Sequence, residues 1–364
     1  MAYNYVELGS LITPSKTVRC GDGVYPVLSM TMHNGLVFQD EKFKKVIASK
    51  DTSDYKVVYR NQLVISFPID EGVLAAQRIT DAGIVSPAYG IWDINQSKIL
   101  PEFLEYALRC DRAIQYYKAK LRGSTARRRT IPTPTLLAFM VPLPCLEEQK
   151  MVIDRIHRAR LVIENRKEQM NKLDDLFKAR FVELFGDPIS NSKNLETKSL
   201  NEIMILKAGD FTAASAISDT LTETHRYPCY GGNGIRGFVA EYNQEGEYSL
   251  IGRQGALSGN VQYAKGRFKN TEHALLVTPK IQMNSIWLNQ LLINLELKRF
   301  QTGAAQPGLS VKNLQDIPII TVSIEKQNRF ADFVAKIDKS KAVIQKSLEE
   351  AQLLFDSLMQ QYFG

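Results

Sequence analysis

The closing phrase of this chain occurs twice. Leu176–Phe177 followed by "FVELFG" at 181–186 recurs as Leu354–Phe355 followed by "MQQYFG" at 359–364, an offset of 178 residues. Glu147, Gln149, Asp154, Phe177, Phe185 and Gly186 match Glu325, Gln327, Asp332, Phe355, Phe363 and Gly364 at that offset without a gap. A repeat of about half the chain means two copies of one unit, each a globular part followed by a long helix. Two-fold organisation within one polypeptide suits a two-part ligand.

The helices follow from spacing. Val152, Ile156, Ala159, Ile163, Arg166, Met170, Leu173, Phe177, Arg180 and Leu184 keep a 4-3 interval, and the same interval returns at Phe330, Val334, Ile337, Lys341, Ile344, Leu348, Ala351, Phe355, Leu358 and Tyr362. Five heptads in one register predict a coiled-coil seam, with the two helices paired antiparallel. A start near Glu147 puts acidic residues in the first turn, and Gly186 before Asp187–Pro188 stops the helix. Arg166, Arg180 and Lys341 interrupt the apolar seam. They are expected to face a partner protein or to lie at its edge.

Composition excludes several classes. No apolar run approaches the roughly 20 residues that span a bilayer, and "MAYNYVELGS" does not read as a secretory signal. Cys20, Cys110, Cys145 and Cys229 are far apart without CxxC spacing, which implies reduced thiols in a cytoplasmic protein and no metal site. The net charge of +7 is uneven: residues 1–146 hold 18 Lys+Arg against 13 Asp+Glu, and 190–320 hold 13 against 11. The helix at 147–186 holds 9 against 8, and 321–364 holds 6 against 6. Globular faces that meet a polyanion and helices that meet protein fit this distribution.

Both globular parts read as mixed α/β units on a twisted sheet, with helices at 101–119 and 284–299. Tyr25–Pro26 and Gly35–Leu36–Val37 echo Tyr227–Pro228 and Gly237–Phe238–Val239 at an offset of 202. In the second part, "YGGNGIRGF" (230–238) and "GRQGALSGNV" (252–261) set Asn233, Arg236, Arg253 and Gln254 among glycines. Glycine permits close backbone approach to phosphate, and Arg, Asn and Gln can pair bidentately with base edges. Lys265 and Arg267, interleaved with Tyr263 and Phe268, read as a phosphate-facing hairpin, and His273 joins the candidates. In the first part, "SMTMHNG" supplies Ser29, Thr31, His33 and Asn34, "SPAY" supplies Tyr89, and "LRGSTARRRTIPTP" supplies Arg122, Arg127, Arg128 and Arg129 as a phosphate clamp. Solvated tight turns are the plain alternative for each loop. Gly232, Gly234 and Gly237 spell GxGxxG, but no buried strand precedes them and Arg236 sits inside, so a dinucleotide site is rejected.

These phrases, with "TEHALLVT", "TGAAQPGLSVKNLQDIPI" and "EKQNRFADFVAKIDK", resemble the specificity subunit of type I restriction-modification enzymes across essentially the whole chain. The resemblance implies target-recognition domains at 1–145 and 187–322, and conserved helices at 146–186 and 323–364. The seam residues Ile156, Ile163, Met170, Phe177, Val334, Ile337, Leu348 and Phe355 would pair the helices or meet partner subunits. It also implies a subunit with no catalysis of its own that binds bipartite double-stranded DNA. Two modification subunits would methylate adenine N6 with S-adenosylmethionine, and restriction subunits would act with ATP and Mg. A methylation-only complex, an enzyme cutting on both sides of its site, and a coiled-coil protein adaptor remain alternatives.

Overall fold

The computed structural model describes residues 3–32, 34–42, 51–67, 69–121, 131–303 and 307–364. The chain divides into two compact units: Met1–Asn165 with Ser347–Gly364, and Arg166–Lys346. Two helices of 40 residues, Leu146–Phe185 and Ile324–Phe363, bear out the repeat to the residue, because both boundaries differ by 178. Each ends in a left-handed glycine, Gly186 at φ 78° and Gly364 at φ 75°, a conformation that ordinary side chains resist.

The frame around each long helix is repeated as closely. Tyr5–Glu7 pairs antiparallel with Met140–Pro142, setting Val6 opposite Val141. Thr197–Ser199 pairs with Pro318–Ile320 in the same sense, Lys198 opposite Ile319. The strands at 140 and 318 lie 178 residues apart and lead into the long helices. Gln149 and Gln327, in the first turn of each, are buried to 0% and 3% exposure. The Gln149 amide accepts Leu100 N–H at 2.8 Å and donates to the Lys98 and Pro144 carbonyls at 2.9 Å each. Gln327 accepts Asn284 N–H at 2.8 Å and donates to Val322 O at 2.9 Å. Leu100 and Asn284 are the N-cap residues of Pro101–Arg109 and Ser285–Asn294. One buried amide thus ties the long helix to the start of a domain helix in both units, satisfying backbone groups that burial would otherwise orphan.

The seam is laid out antiparallel inside each unit. In the first, Arg155 donates to Tyr362 and the Arg160 guanidinium lies 5.6 Å from the Phe355 ring centre, so partner numbers fall as the helix rises. In the second, Phe177, Arg180 and Phe181 meet Lys341, Phe333 and Phe330. Ile156, Ile163 and Val334 are buried; Met170, Phe177, Ile337, Leu348 and Phe355 are half-buried, as expected where one helix covers only one side. The cations take part in the seam. Lys341 Nζ sits 4.3 Å over the Phe177 ring while paired with Asp174, and Arg180 lies over Phe333 and bonds Glu183 at 2.7 Å. Leu184 departs from the expected register and is exposed. Phe181 and Phe185 turn inward instead, packing with Trp287 and Phe330.

The sheets differ between units. The first has a four-stranded antiparallel sheet in the order Ile12–Pro14, Gly90–Ile94, Leu63–Ile65, Leu74–Ala76. Beside it are two separate pairs, Leu28–Thr31 with Gly35–Phe38 and Lys56–Tyr59 with Ala82–Val85. The second has one six-stranded sheet in the order Met204–Ala208, Ala274–Pro279, Gln244–Gly252, Val261–Asn270, Tyr227–Gly231, Gly234–Val239. The expected domain helices are each broken: Cys110, in an extended conformation, separates Pro101–Arg109 from Asp111–Lys120, and Glu296 at φ 48° separates Ser285–Asn294 from Leu297–Phe300. The echo at offset 202 does not hold in register. Gly35 opens its strand, whereas Gly237 lies inside Gly234–Val239, whose pairing slips at a bulge between Cys229 and Tyr230.

Among the described residues no helix is long and apolar enough to cross a membrane. The four cysteines are unbridged, and burial pushes the Cys110 and Cys229 thiols up, away from reactive thiolate.

Candidate nucleic-acid interface

In the second unit four segments distant in sequence meet at one end of the strands of the six-stranded sheet, beside Gly231, Gly252 and Ala274. The loop after Gly252 is held on one side by His273, whose carbonyl accepts Arg253 N–H at 2.9 Å. On the other side Leu309 N–H donates to Arg253 O at 2.8 Å and Gly255 N–H to Pro307 O at 2.9 Å. Gly232 closes the cluster. A side chain at Gly252 would place its Cβ 2.1 Å from Gly232 O, and one at Gly232 would place it 3.1 Å from His273 O. Glycine at these two positions lets the 230–234 turn and the 252–260 loop touch backbone to backbone.

This convergence collects Asn233, Arg253, Gln254 and His273, with Arg236 on the adjoining strand Gly234–Val239. Asn233, Arg236 and Gln254 are exposed. Asn233 Oδ1 accepts from Asn260 Nδ2 at 3.1 Å. Gln254 Oε1 is 2.9 Å from His273 Nδ1, and His273 Nε2 is 3.1 Å from Glu272 Oε1. Arg253 Nη1 lies 3.5 Å from Glu272 O. Charged and amide donors on a rigid backbone, with little apolar cover, are suited to phosphate oxygens and base edges.

Lys265 and Arg267 lie elsewhere. Both stand inside the strand Val261–Asn270, opposite Glu247 and Glu245, and not at a hairpin tip. Each pairs with that carboxylate, Lys265 at 2.9 Å and Arg267 at 3.1 Å, and Arg267 also lies 5.1 Å from the Tyr242 ring centre. Arg253 follows Glu247 by six positions, just past the strand's end at Gly252, about 20 Å at ~3.3 Å per residue. Bonds from Lys265, Tyr263 and Ser285 hold the Glu247 carboxyl below the usual range. Both side chains therefore stand in a cross-strand ion-pair ladder on the strands of this hairpin, since a glutamate faces each of them in register.

In the first unit the candidates are less concentrated. Ser29 is half-buried on the strand Leu28–Thr31. Thr31 serves its own turn, donating from Oγ1 to Gly35 O at 2.9 Å and accepting Asn34 N–H at 3.1 Å, which leaves the Asn34 side chain exposed at the tip. Tyr89 is half-buried against Leu28, Leu36, Val58 and Val85, so its ring is mainly core. His33, Arg122, Arg127, Arg128 and Arg129 lie outside the described residues.

Sequence reasoning missed the supports. Glu272 orients His273 and accepts Thr212 N–H at 3.2 Å; Asn260 orients Asn233; Gln301 Nε2 holds Ser258 O at 2.6 Å. Glu272 was adjacent to a chosen histidine, a signal available in "TEH". The partners of Asn260 and Gln301 lie 27 and 43 residues away and leave no local pattern. Asn233 and Asn260 also line a cleft of about 650 Å³ with Leu257, Ile293 and Lys298, which Arg253, Gln254 and His273 do not line.

Comparison with known proteins adds the following. Residues 192–353 match the family model described as the type I restriction modification DNA specificity domain. Over 141 residues (39% of this chain) the sequence is 45% identical to the type I restriction enzyme EcoprrI specificity subunit of Escherichia coli. Over 138 residues (37%) it is 29% identical to a putative type I restriction enzyme specificity subunit, S.HindORF215P, of Haemophilus influenzae. The matched stretch spans 35% of either relative's length. The whole fold resembles the S subunit of the M. genitalium type I restriction-modification system, with a TM-score of 0.61 and 17% identity over 100% of this chain and 96% of that one. It also resembles a chain from a structure concerned with complex assembly and conformational transition of a type I R-M system, with a TM-score of 0.60 and 16% identity over 99% and 97%.

Proposed function

We propose, for a chain that carries a type I restriction-modification DNA specificity domain and shares the fold of type I specificity subunits, that it is the non-catalytic reader of a two-part double-stranded DNA target. The part at 1–145 reads one half of the target and the part at 187–322 the other. The helices at 146–186 and 323–364 set the gap and dock two modification subunits, which methylate adenine N6 with S-adenosylmethionine. Restriction subunits supply ATP- and Mg-dependent cleavage.

The observation that carries this reading is the meeting of Arg253, Gln254 and His273 on a backbone pinned from both sides. Arg and Gln are the side chains that discriminate bases in the major groove, and a fixed backbone lets them do so at low entropic cost. Two major-groove segments on one face of B-DNA lie ~34–36 Å apart. A helix of 40 residues is about 60 Å long at ~1.5 Å per residue, enough to govern that spacing. The partner must extract its adenine from the stack at a cost of a few kcal/mol, and grip on the flanks offsets part of that.

Co-expression with a modification partner, followed by long-read mapping of methyladenine, tests the proposal. Arg253→Ala with Gln254→Ala should change one half of the methylated motif and leave the other half intact. An unchanged motif would overturn direct reading by this loop. Inserting one heptad in each helix should alter the tolerated gap between halves, and an unaltered gap would refute the spacer role.

A further inference from the structure

We propose that Gly231 is a positioning residue for Arg236. Its bare Cα is the bed on which the Arg236 side chain lies, so the guanidinium is presented, already ordered, to a pair of acceptors on the DNA. The inference rests on the DNA-reading function above and adds one fixed contact together with the device that fixes it.

The starting point is an irregularity in the strand pair Tyr227–Gly231 and Gly234–Val239. Tyr230 faces Ile235 and Cys229 faces Gly237, so Arg236 is the extra residue of a β-bulge, opposite no partner. A bulge breaks the alternation of faces and re-aims a side chain. Ile235 and Arg236 are accordingly exposed in succession, between buried Gly234 and Gly237. The far side of the bulge is clamped. Phe238 exchanges both backbone hydrogen bonds with Ser218, at 2.8 and 2.9 Å, and a Cβ at Gly237 would fall 2.4 Å from Ser218 O.

The direction of the Arg236 side chain is recorded at Gly231. A side chain at Gly231 would place its Cβ 2.4 Å from Arg236 Cδ and 2.9 Å from Arg236 Cγ, with Arg236 Nε next at 3.7 Å. Gly231 does not adopt a positive φ, so its backbone conformation does not call for glycine. What a Cβ would meet there is the Arg236 stem. The guanidinium at the end of that stem makes no ion pair or hydrogen bond among the described residues. On the strand Val261–Asn270 of the same sheet, Lys265, Arg267 and Lys269 each face a carboxylate, Lys269 at 3.6 Å from Asp210. Arg236 thus combines an ordered stem with an uncompensated charge. A planar fork in that state loses little entropy on binding paired acceptors, a guanine O6/N7 edge or two phosphate oxygens.

The test uses the full chain and duplexes selected from a library randomised across one half of the target, with affinity, salt dependence and thermal melting measured on each variant. Arg236→Ala should weaken binding about tenfold or more. A guanine contact relaxes the motif at one position; a phosphate contact weakens all duplexes alike and lowers the salt slope by about one. Gly231→Ala should show the same pattern more weakly, about threefold, and melt no lower than wild type. In the Arg236→Ala background Gly231→Ala should add nothing, because the space is vacant. Should Gly231→Ala alone melt lower, the double variant should regain the melting temperature of Arg236→Ala, and failure to regain it would overturn the positioning role. Wild-type binding by either single variant, or a further threefold loss in the double variant, would overturn it too while DNA reading stands. If wild type selects no duplex, both fall.

Discussion

The two units keep the same frame and carry different faces. Around each long helix the strand pair, the left-handed terminal glycine and the buried glutamine agree in position and partner. The sheets do not agree: one unit splits its strands among a four-stranded sheet and separate pairs, and the other closes six strands into one sheet. The frame holds buried backbone N–H and C=O groups that tolerate no loss of partner, so it resists drift. The loops at the strand ends meet solvent and are free to change.

The largest expected effect tests the frame at its aromatic knot. Phe181, fully buried against Phe185, Trp287 and Phe330, should cost about 3–5 kcal/mol on replacement by Ala. Leu184→Ala, one position of the ideal seam yet exposed, should change stability by only about 0.5 kcal/mol in chemical denaturation. Equal losses would show that the heptad register governs this end after all.

Next come the paired glutamines. Gln149→Ala and Gln327→Ala each strand buried backbone groups and should lower stability by about 2–4 kcal/mol, with Gln149 the costlier because it makes three bonds and Gln327 two. A negligible cost at both would break the equivalence of the units.

A third contrast lies within the second unit. Arg253→Ala should weaken DNA binding about tenfold or more, while Arg267→Gln, already engaged with Glu245 and Tyr242, should leave affinity near wild type. Equal losses in a filter or anisotropy assay would place the ion-pair ladder on the DNA. The smallest effect is a pH response. The folded Glu247 carboxyl titrates below its ordinary value of 4.5, so its contribution is complete above that pH and fades as pH falls through the lower folded value. Glu247→Gln should flatten that acid limb of the melting temperature, and an unchanged limb would remove Glu247 as a source.

The duplication, the length of both helices and their antiparallel pairing were legible because they rest on local spacing and on a repeat that needs no third dimension. That Asn233, Arg253 and Gln254 sit on tight turns was legible because glycine-framed polar runs announce tightly turning backbone. The cross-strand partners of Lys265 and Arg267 were not, since the glutamates opposite them are paired by strand register. Nor was the inward turn of Phe181 and Phe185, where the domain core competes with the helix seam and wins by burying more aromatic surface. Sequence alone therefore determined the two-fold plan and the residue types of the glycine-framed loops. Tertiary structure alone decided which carboxylate Lys265 and Arg267 each meet and which segments pin the loop after Gly252, because both depend on partners brought together by the folding of distant segments.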